Sequence, residues 1–240
     1  MIYFLRKIYL FFDYFNQKKI LKYLANFFKD KKINNVFDVG AHHGETVEFI
    51  LKNFEIEKIY TFEPSPINYK ILLNNLKNKS KNDVIKTFNI ALGEKNKTSK
   101  LNQVIESSSS TLNELNINSK YYKRKFKILN LLKLKKDFNP IDVEQIRSED
   151  FVNKQNIENI DILKIDTEGF EYYVIKGFGD FIRNIKVIWF EHHYDMMIKK
   201  GYTFSDINDY LIQNNFSKAH KTKMYFRKSF EYIYIKKDLN

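Results

Sequence analysis

Five short apolar runs, each closing on a polar or glycine-containing loop, constrain this chain more than any other feature. They are Asn35–Val39 (NVFDV), Lys58–Phe62 (KIYTF), Val84–Ala91 (VIKTFNIA), Ile160–Ile165 (IDILKI) and Val187–Glu191 (VIWFE). Runs of this length, rich in Val, Ile, Phe and Tyr, predict strands. The stretches between them carry a helical period instead. Glu45–Lys52 sets Val47, Ile50 and Leu51 at helical spacing, and Pro66–Lys77 does so with Ile71, Leu72 and Leu76. A helix starts over Tyr172–Lys176, and another covers Phe204–Asn214. Strands that alternate with helices predict an α/β domain with a mostly parallel sheet. Thr98–Val104 reads as an extra strand, and Met224–Phe226 with Tyr232–Lys236 as a closing antiparallel pair.

At 240 residues the chain is one large domain or two small ones, long enough to bury a core unaided. The expected division is a pair of N-terminal amphipathic helices over residues 1–32, then one domain over 33–240. Leu5, Ile8, Phe12, Phe15 and then Ile20, Leu21, Leu24, Phe28 carry the helical spacing. These helices read as packed on the domain, with a monotopic membrane anchor as the sharper alternative. The apolar run Ile8–Phe12 is too short for a signal peptide and far below the ~20 residues that span a bilayer. The expected location is therefore cytoplasmic, with peripheral contact at the inner face of the membrane as the variant. The chain has no cysteine, which excludes disulfides, thiolate metal sites and a cysteine nucleophile.

Net charge is +12. Much of the excess is local: Lys120 to Lys136 holds eight basic residues and no acidic one. That segment belongs to a stretch, about 107–140, that breaks the strand–helix alternation and reads as a basic insertion. Its charge suits an anionic surface or substrate, or simply a solvated loop.

Asp38-Val-Gly40-Ala-His-His-Gly44-Glu-Thr follows the first strand and opens a helix. Gly40 permits a tight turn beside a ligand, and Gly44 a close helix start. The spacing is G-x-x-x-G rather than the dinucleotide fingerprint, and Asp38 would repel a pyrophosphate there. A ligand with an ammonium group would suffer no such repulsion. Glu63 ends the second strand, 25 residues on. An acid at that place takes ribose hydroxyls in nucleoside-binding α/β folds.

VFDVGAHHGET resembles the first motif of class I S-adenosylmethionine-dependent methyltransferases, and YTFEPSP resembles their second. NIALGEKN and IDILKIDTEGFEYYVIKGF are similar to the pattern of the FkbM-type family within that class. The resemblance runs from about Val36 to His193. It implies a Rossmann-like fold with a mostly parallel seven-stranded sheet flanked by helices and antiparallel C-terminal strands. It implies S-adenosylmethionine as cofactor, with Asp38, Gly40, Ala41 and Gly44 at the methionine end and His42 and Thr46 at the mouth of the turn. Glu63 would hold the ribose, with Pro64 and Ser65 beside the adenosine. Asn89, Ala91 and Leu92 would flank adenine, the Asn89 carbonyl accepting from the amino group.

Lys164-Ile-Asp166-Thr-Glu168-Gly169-Phe-Glu171 lies where the fourth strand meets its loop. Three carboxylates so close together need a cation: Lys164, the cofactor sulfonium, a metal or solvent. Glu171 also reads as a plain helix-start acid. Methyl transfer to a hydroxyl requires positioning and a group that takes its proton. Asp166, Glu168 and His192 are the expected catalytic residues, Asp166 also touching the cofactor. The choice of base stays open, because the histidines pair at strand ends as His42/His43 and His192/His193. A divalent metal held by Asp166, Glu168 and His192 is the variant, but oxygen and imidazole donors suit magnesium or manganese only loosely, and no metal site is expected. The chain lacks any Pro-Pro pair, unlike the D-P-P-Y or N-P-P-Y motif of base-directed enzymes. The expected reaction is O-methylation of a sugar, glycan or related small molecule, the acceptor being anionic if the basic insertion guides it. The rivals are a nucleic-acid methyltransferase using the basic segment, and a non-catalytic membrane-associated module on the same scaffold.

Overall fold

A computed structural model describes residues 18–29, 31–77, 79, 83–103, 110–120, 122–124, 127, 140–224 and 228–237. The first of the two expected N-terminal helices and most of the basic insertion lie outside these residues. No described helix is long and apolar enough to cross a membrane.

A seven-stranded sheet forms the centre. β1 (Ile33–Val39), β2 (Ile56–Phe62) and β3 (Ile85–Phe88) lie on one side, and β8 (Ile160–Ile165), β9 (Ile185–His193), β12 (Ser229–Lys236) and β11 (Phe216–Lys223) complete it in the order β11-β12-β9-β8-β1-β2-β3. Neighbours from β3 to β9 are parallel, while β12 is antiparallel to β9 and to β11. The expected fold class is therefore found.

Strand period 2 sends alternate side chains to opposite faces. Phe37 and Val39 of β1, Ile188 and Phe190 of β9, and Tyr232 and Tyr234 of β12 share one apolar cluster. Val36, Val187, Trp189, Ile233 and Ile235 share the other. The first face is covered by helices Ser148–Lys154, Glu171–Gly177 and Phe204–Gln213, through Phe151, Val152, Val174, Ile175, Ile207 and Leu211. The second is covered by the helical residues 18–27 and by helices Glu45–Asn53 and Pro66–Leu76, through Ile20, Leu24, Val47, Ile50 and Leu72. Burial on this scale contributes roughly 1.5–3 kcal/mol per large apolar side chain. It also accounts for Ile20, Leu21, Leu24 and Phe28, which are packed on the domain.

Several local expectations differ from the structure. The run Val84–Ala91 is not one strand: β3 ends at Phe88, and β4 (Ala91–Gly93) joins a second sheet of order β4-β7-β5. The break falls at Asn89, whose side-chain amide donates to the Glu63 and Pro64 carbonyls and turns the chain there. In that sheet β5 (Lys97–Asn102) is the expected extra strand, ending earlier than Val104. β7 (Pro140–Arg147) and the helix after it were not expected, because PIDVEQIR is too polar to read as an apolar run. β12 pairs with β11, while most of the expected partner Met224–Phe226 lies outside the described residues. β11 (FSKAHKTK) is a lysine-studded edge strand, which hides its period from an apolar-run reading. Met224 follows its end, its N–H bonding the Ser229 carbonyl, and Tyr225 and Phe226 lie outside the described residues. Finally, β9 extends through His193, so both histidines belong to the strand itself. A two-stranded ladder, β6 (Glu114–Leu115) with β10 (Ile198–Lys199), flanks that strand end.

Candidate active site

The carboxyl ends of β1, β2, β8 and β9 meet at one edge, the place where open α/β sheets bind ligands. At β1 the chain turns at Gly40, with φ +83, and a Cβ there would lie 1.9 Å from the Asp166 carbonyl oxygen. Only glycine admits both the left-handed backbone and that approach of β1 to β8. The Gly40 and Ala41 N–H groups donate to the Phe62 carbonyl, and Gly44, at φ +90, opens helix Glu45–Asn53.

Asp38 is fully buried, and neither of its carboxylate oxygens makes a hydrogen bond. Lys164, its register partner on β8, places Nζ 3.6 Å from Asp38 Oδ1 and 3.3 Å from Asp166 Oδ2. Burial raises the Asp38 carboxyl above the usual carboxylate range, and Lys164 pulls it back in part. The carboxylate of Glu63 is gripped by backbone: His42 N–H donates to Oε2 and Ser65 N–H to Oε1, each at 2.9 Å. Burial nevertheless pushes Glu63 up to about 7. Ser65 caps helix Pro66–Leu76 by accepting from Asn68 N–H at 3.3 Å. Thr46, Ala91 and Leu92 are buried, Leu92 within the core.

The rings of His42 and His43 stack at 3.7 Å. Both histidines contact Glu45, whose N–H···O partners are His43 N–H at 3.2 Å and His42 Nδ1 at 3.4 Å. Burial opposes ionisation of Glu45, but the His42 bond and charge prevail and lower it to about 2.

At β8 and β9 the acids converge on His193, not His192. His193 Nε2 lies 3.3 Å from Glu168 and 3.4 Å from Glu191, and Nδ1 lies 3.6 Å from Asp195. Burial works against its charge, yet Glu168 and Glu191 push it up to about 10. His192 points to the opposite face because the strand alternates. It packs against Tyr194, Tyr202 and Phe204, and burial, aided by Lys200, takes it down to about 3. The structure thus brings Asp166 and Glu168 together and sets His192 apart from them.

The loop that carries these acids is tied by Glu171. Its Oε1 accepts from Thr167 N–H, Thr167 hydroxyl and Gly169 N–H, and its Oε2 from the Tyr202 hydroxyl at 2.6 Å. It does more than start a helix. Glu231 and Asp195 were not anticipated. Glu231 faces Glu191 across the β9–β12 ladder and accepts from Trp189 Nε1 at 3.2 Å. The signal for it was available: in SFEYIYIK the acid falls on the inward parity of Ile233 and Ile235.

Residues 38–218 match the family described as the methyltransferase FkbM domain. No curated protein matches the chain. Among solved structures, a methyltransferase FkbM from Methylobacillus flagellatus KT is similar with TM-score 0.54 and 15% identity, over 85% of this chain and 44% of that one. This chain thus spans less than half the length of that relative. Magnesium protoporphyrin IX methyltransferase from Synechocystis PCC 6803, with bound S-adenosylmethionine, gives TM-score 0.51 and 9% identity over 91% and 77%. TrmK from M. capricolum, with S-adenosylhomocysteine, gives 0.50 and 12% over 89% and 67%. At these identities the structures establish the shared fold.

Proposed function

The chain belongs to the methyltransferase FkbM domain family, and from that premise we propose that it is an S-adenosylmethionine-dependent O-methyltransferase acting on a hydroxyl of a sugar, a glycan or a related small molecule. The observation that carries the reading is the pair of buried acids at adjacent strand ends, Asp38 with unbonded carboxylate oxygens and Glu63 locked by two backbone N–H groups. Both fit the cofactor. Asp38, beside the turn at Gly40, suits an ammonium group, directly or through water, and Glu63 suits a diol. Ala41, His42, Gly44 and Thr46 complete the turn. Pro64, Ser65, Asn89, Ala91 and Leu92 form the adenosine side, the amide oxygen of Asn89 being uninvolved in its two bonds to the Glu63 and Pro64 carbonyls.

When bound, the cofactor supplies an electrophilic methyl group on a sulfonium. The protein's task is then to align an acceptor oxygen with that methyl carbon and to receive a proton. Asp166 is more open than Glu168 on the same loop, its side chain 34% exposed against 14%. It is the acid best placed to meet the acceptor hydroxyl. Lys164 Nζ lies 3.3 Å from Asp166 Oδ2, and His193 stands between Glu168 and Glu191. His192, on the other face, is a packing residue in this reading. The segment with eight basic residues favours an anionic acceptor such as a nucleotide-sugar or phosphoglycan. Contact with a membrane surface, the cytoplasmic location and the division at residue 32 remain parts of the same proposal.

The test is transfer of an isotope-labelled methyl group in a panel of nucleotide-sugars, phosphoglycans, RNA and DNA. The expected result is label on a sugar hydroxyl, with Asp166→Asn reducing kcat by about 10²-fold or more. Label appearing only in nucleic acid would replace this reading with the nucleic-acid one.

A further inference from the structure

Asp166, Glu191 and His193 each present one ligand atom, and those atoms lie within 4.8 Å of one another. Donors around a first-row divalent ion sit at about 2.1 Å from it, hence about 3–4 Å apart. The three side chains are thus gathered to within small rotations of a coordination shell.

Two further observations point to a cation. The first is an orienting carboxylate: Asp195 lies 3.6 Å from His193 Nδ1 and is itself fixed by Met197 N–H at 3.0 Å. A histidine whose far nitrogen is steadied by a carboxylate is the usual companion of a metal bond at the near one. The second is a set of orphaned atoms. His193 Nε2 is buried and makes no hydrogen bond, though two carboxylates lie within 3.4 Å. Glu231 Oε2, buried and directly across the ladder from Glu191, makes none either. Buried polar atoms left in this way are costly unless something completes them. Five carboxyl groups, Asp38, Asp166, Glu168, Glu191 and Glu231, stand against three basic side chains that act on them, Lys164, Lys200 and His193.

We propose that Asp166, Glu191 and His193 bind a divalent cation, with manganese one of the ions that a mixed set of two oxygen donors and one imidazole admits. Glu231 and Glu168 supply further carboxyl oxygens around it. A second trio, His42, His43 and Glu45, also comes within range. Its Glu45 is 41% exposed and already engaged by both histidines, whereas Glu191 and His193 of the first are buried. A cation beside Asp166 would lie at the acceptor end of the proposed cleft. That role rests on the proposed function, but the binding itself does not.

The test is titration of the full chain, stripped of metal, with Mn²⁺ alone, read by calorimetry and electron paramagnetic resonance. The expected result is one saturable site with nitrogen coupling from a histidine. Glu191→Gln should weaken it at least tenfold, His193→Gln should abolish the nitrogen coupling, and His43→Gln should change neither. No saturable binding by the wild type overturns the inference, whatever the variants do. So does loss in His43→Gln with retention in Glu191→Gln. S-adenosylmethionine binding in metal-free buffer is a separate readout: its absence would defeat the proposed function while Mn²⁺ binding could still stand, and the reverse.

Discussion

Glu63 shows how a single residue can be held against its own preference. Two backbone N–H groups stabilise its carboxylate, yet burial outweighs them and the group titrates near 7. Its unfolded-state value is near 4.3, so the folded state holds the proton more tightly. The stabilising contribution is present below that value and is lost as pH rises to about 7. The wild type should therefore lose up to about 3 kcal/mol between pH 4.5 and 7.5 that Glu63→Gln does not lose. Urea unfolding of both proteins across that range measures the difference, and parallel curves would refute it. The place of Glu63 at a strand end was legible because it closes the apolar run Lys58–Phe62, 25 residues after Asp38. The choice between His192 and His193 was not legible, since strand parity decides it and β9 runs two residues beyond its expected end at Glu191.

At the scale of elements, the loop from β8 into helix Glu171–Gly177 carries the acids. It contains Glu168 and Gly169 at φ +51 and +96, a backbone that needs outside support. Glu171 provides it through its bonds to Thr167, Gly169 and Tyr202. Glu171→Ala would leave several buried donors unsatisfied and should cost about 3 kcal/mol in unfolding free energy. A loss below about 0.5 kcal/mol would mean the loop does not depend on this tie. The core strands β1, β2, β8 and β9 were legible because their apolar runs are buried on both faces. β7 and β11 were not, because a one-sided or edge strand shows polar residues at every second place or more. The split of β3 from β4 depended on a tertiary bond from Asn89, which no local pattern announces.

For the whole molecule, the order of strands fixes where chemistry can occur. β1 lies between β2 and β8, so the Gly40 turn, Glu63 and the Asp166 loop are neighbours although 128 residues of sequence separate Asp38 from Asp166. The alternation of strands and helices foretold the parallel sheet that forms that edge. The account stands on the claim that this edge holds S-adenosylmethionine through Asp38 and Glu63. Calorimetric titration of the wild type and Glu63→Ala with the cofactor tests it most directly. The account predicts a one-to-one complex with the wild type and an affinity about 10- to 100-fold weaker in the variant, the worth of a charge-assisted hydrogen bond. No binding by folded wild type, or equal affinity in both proteins, would contradict it.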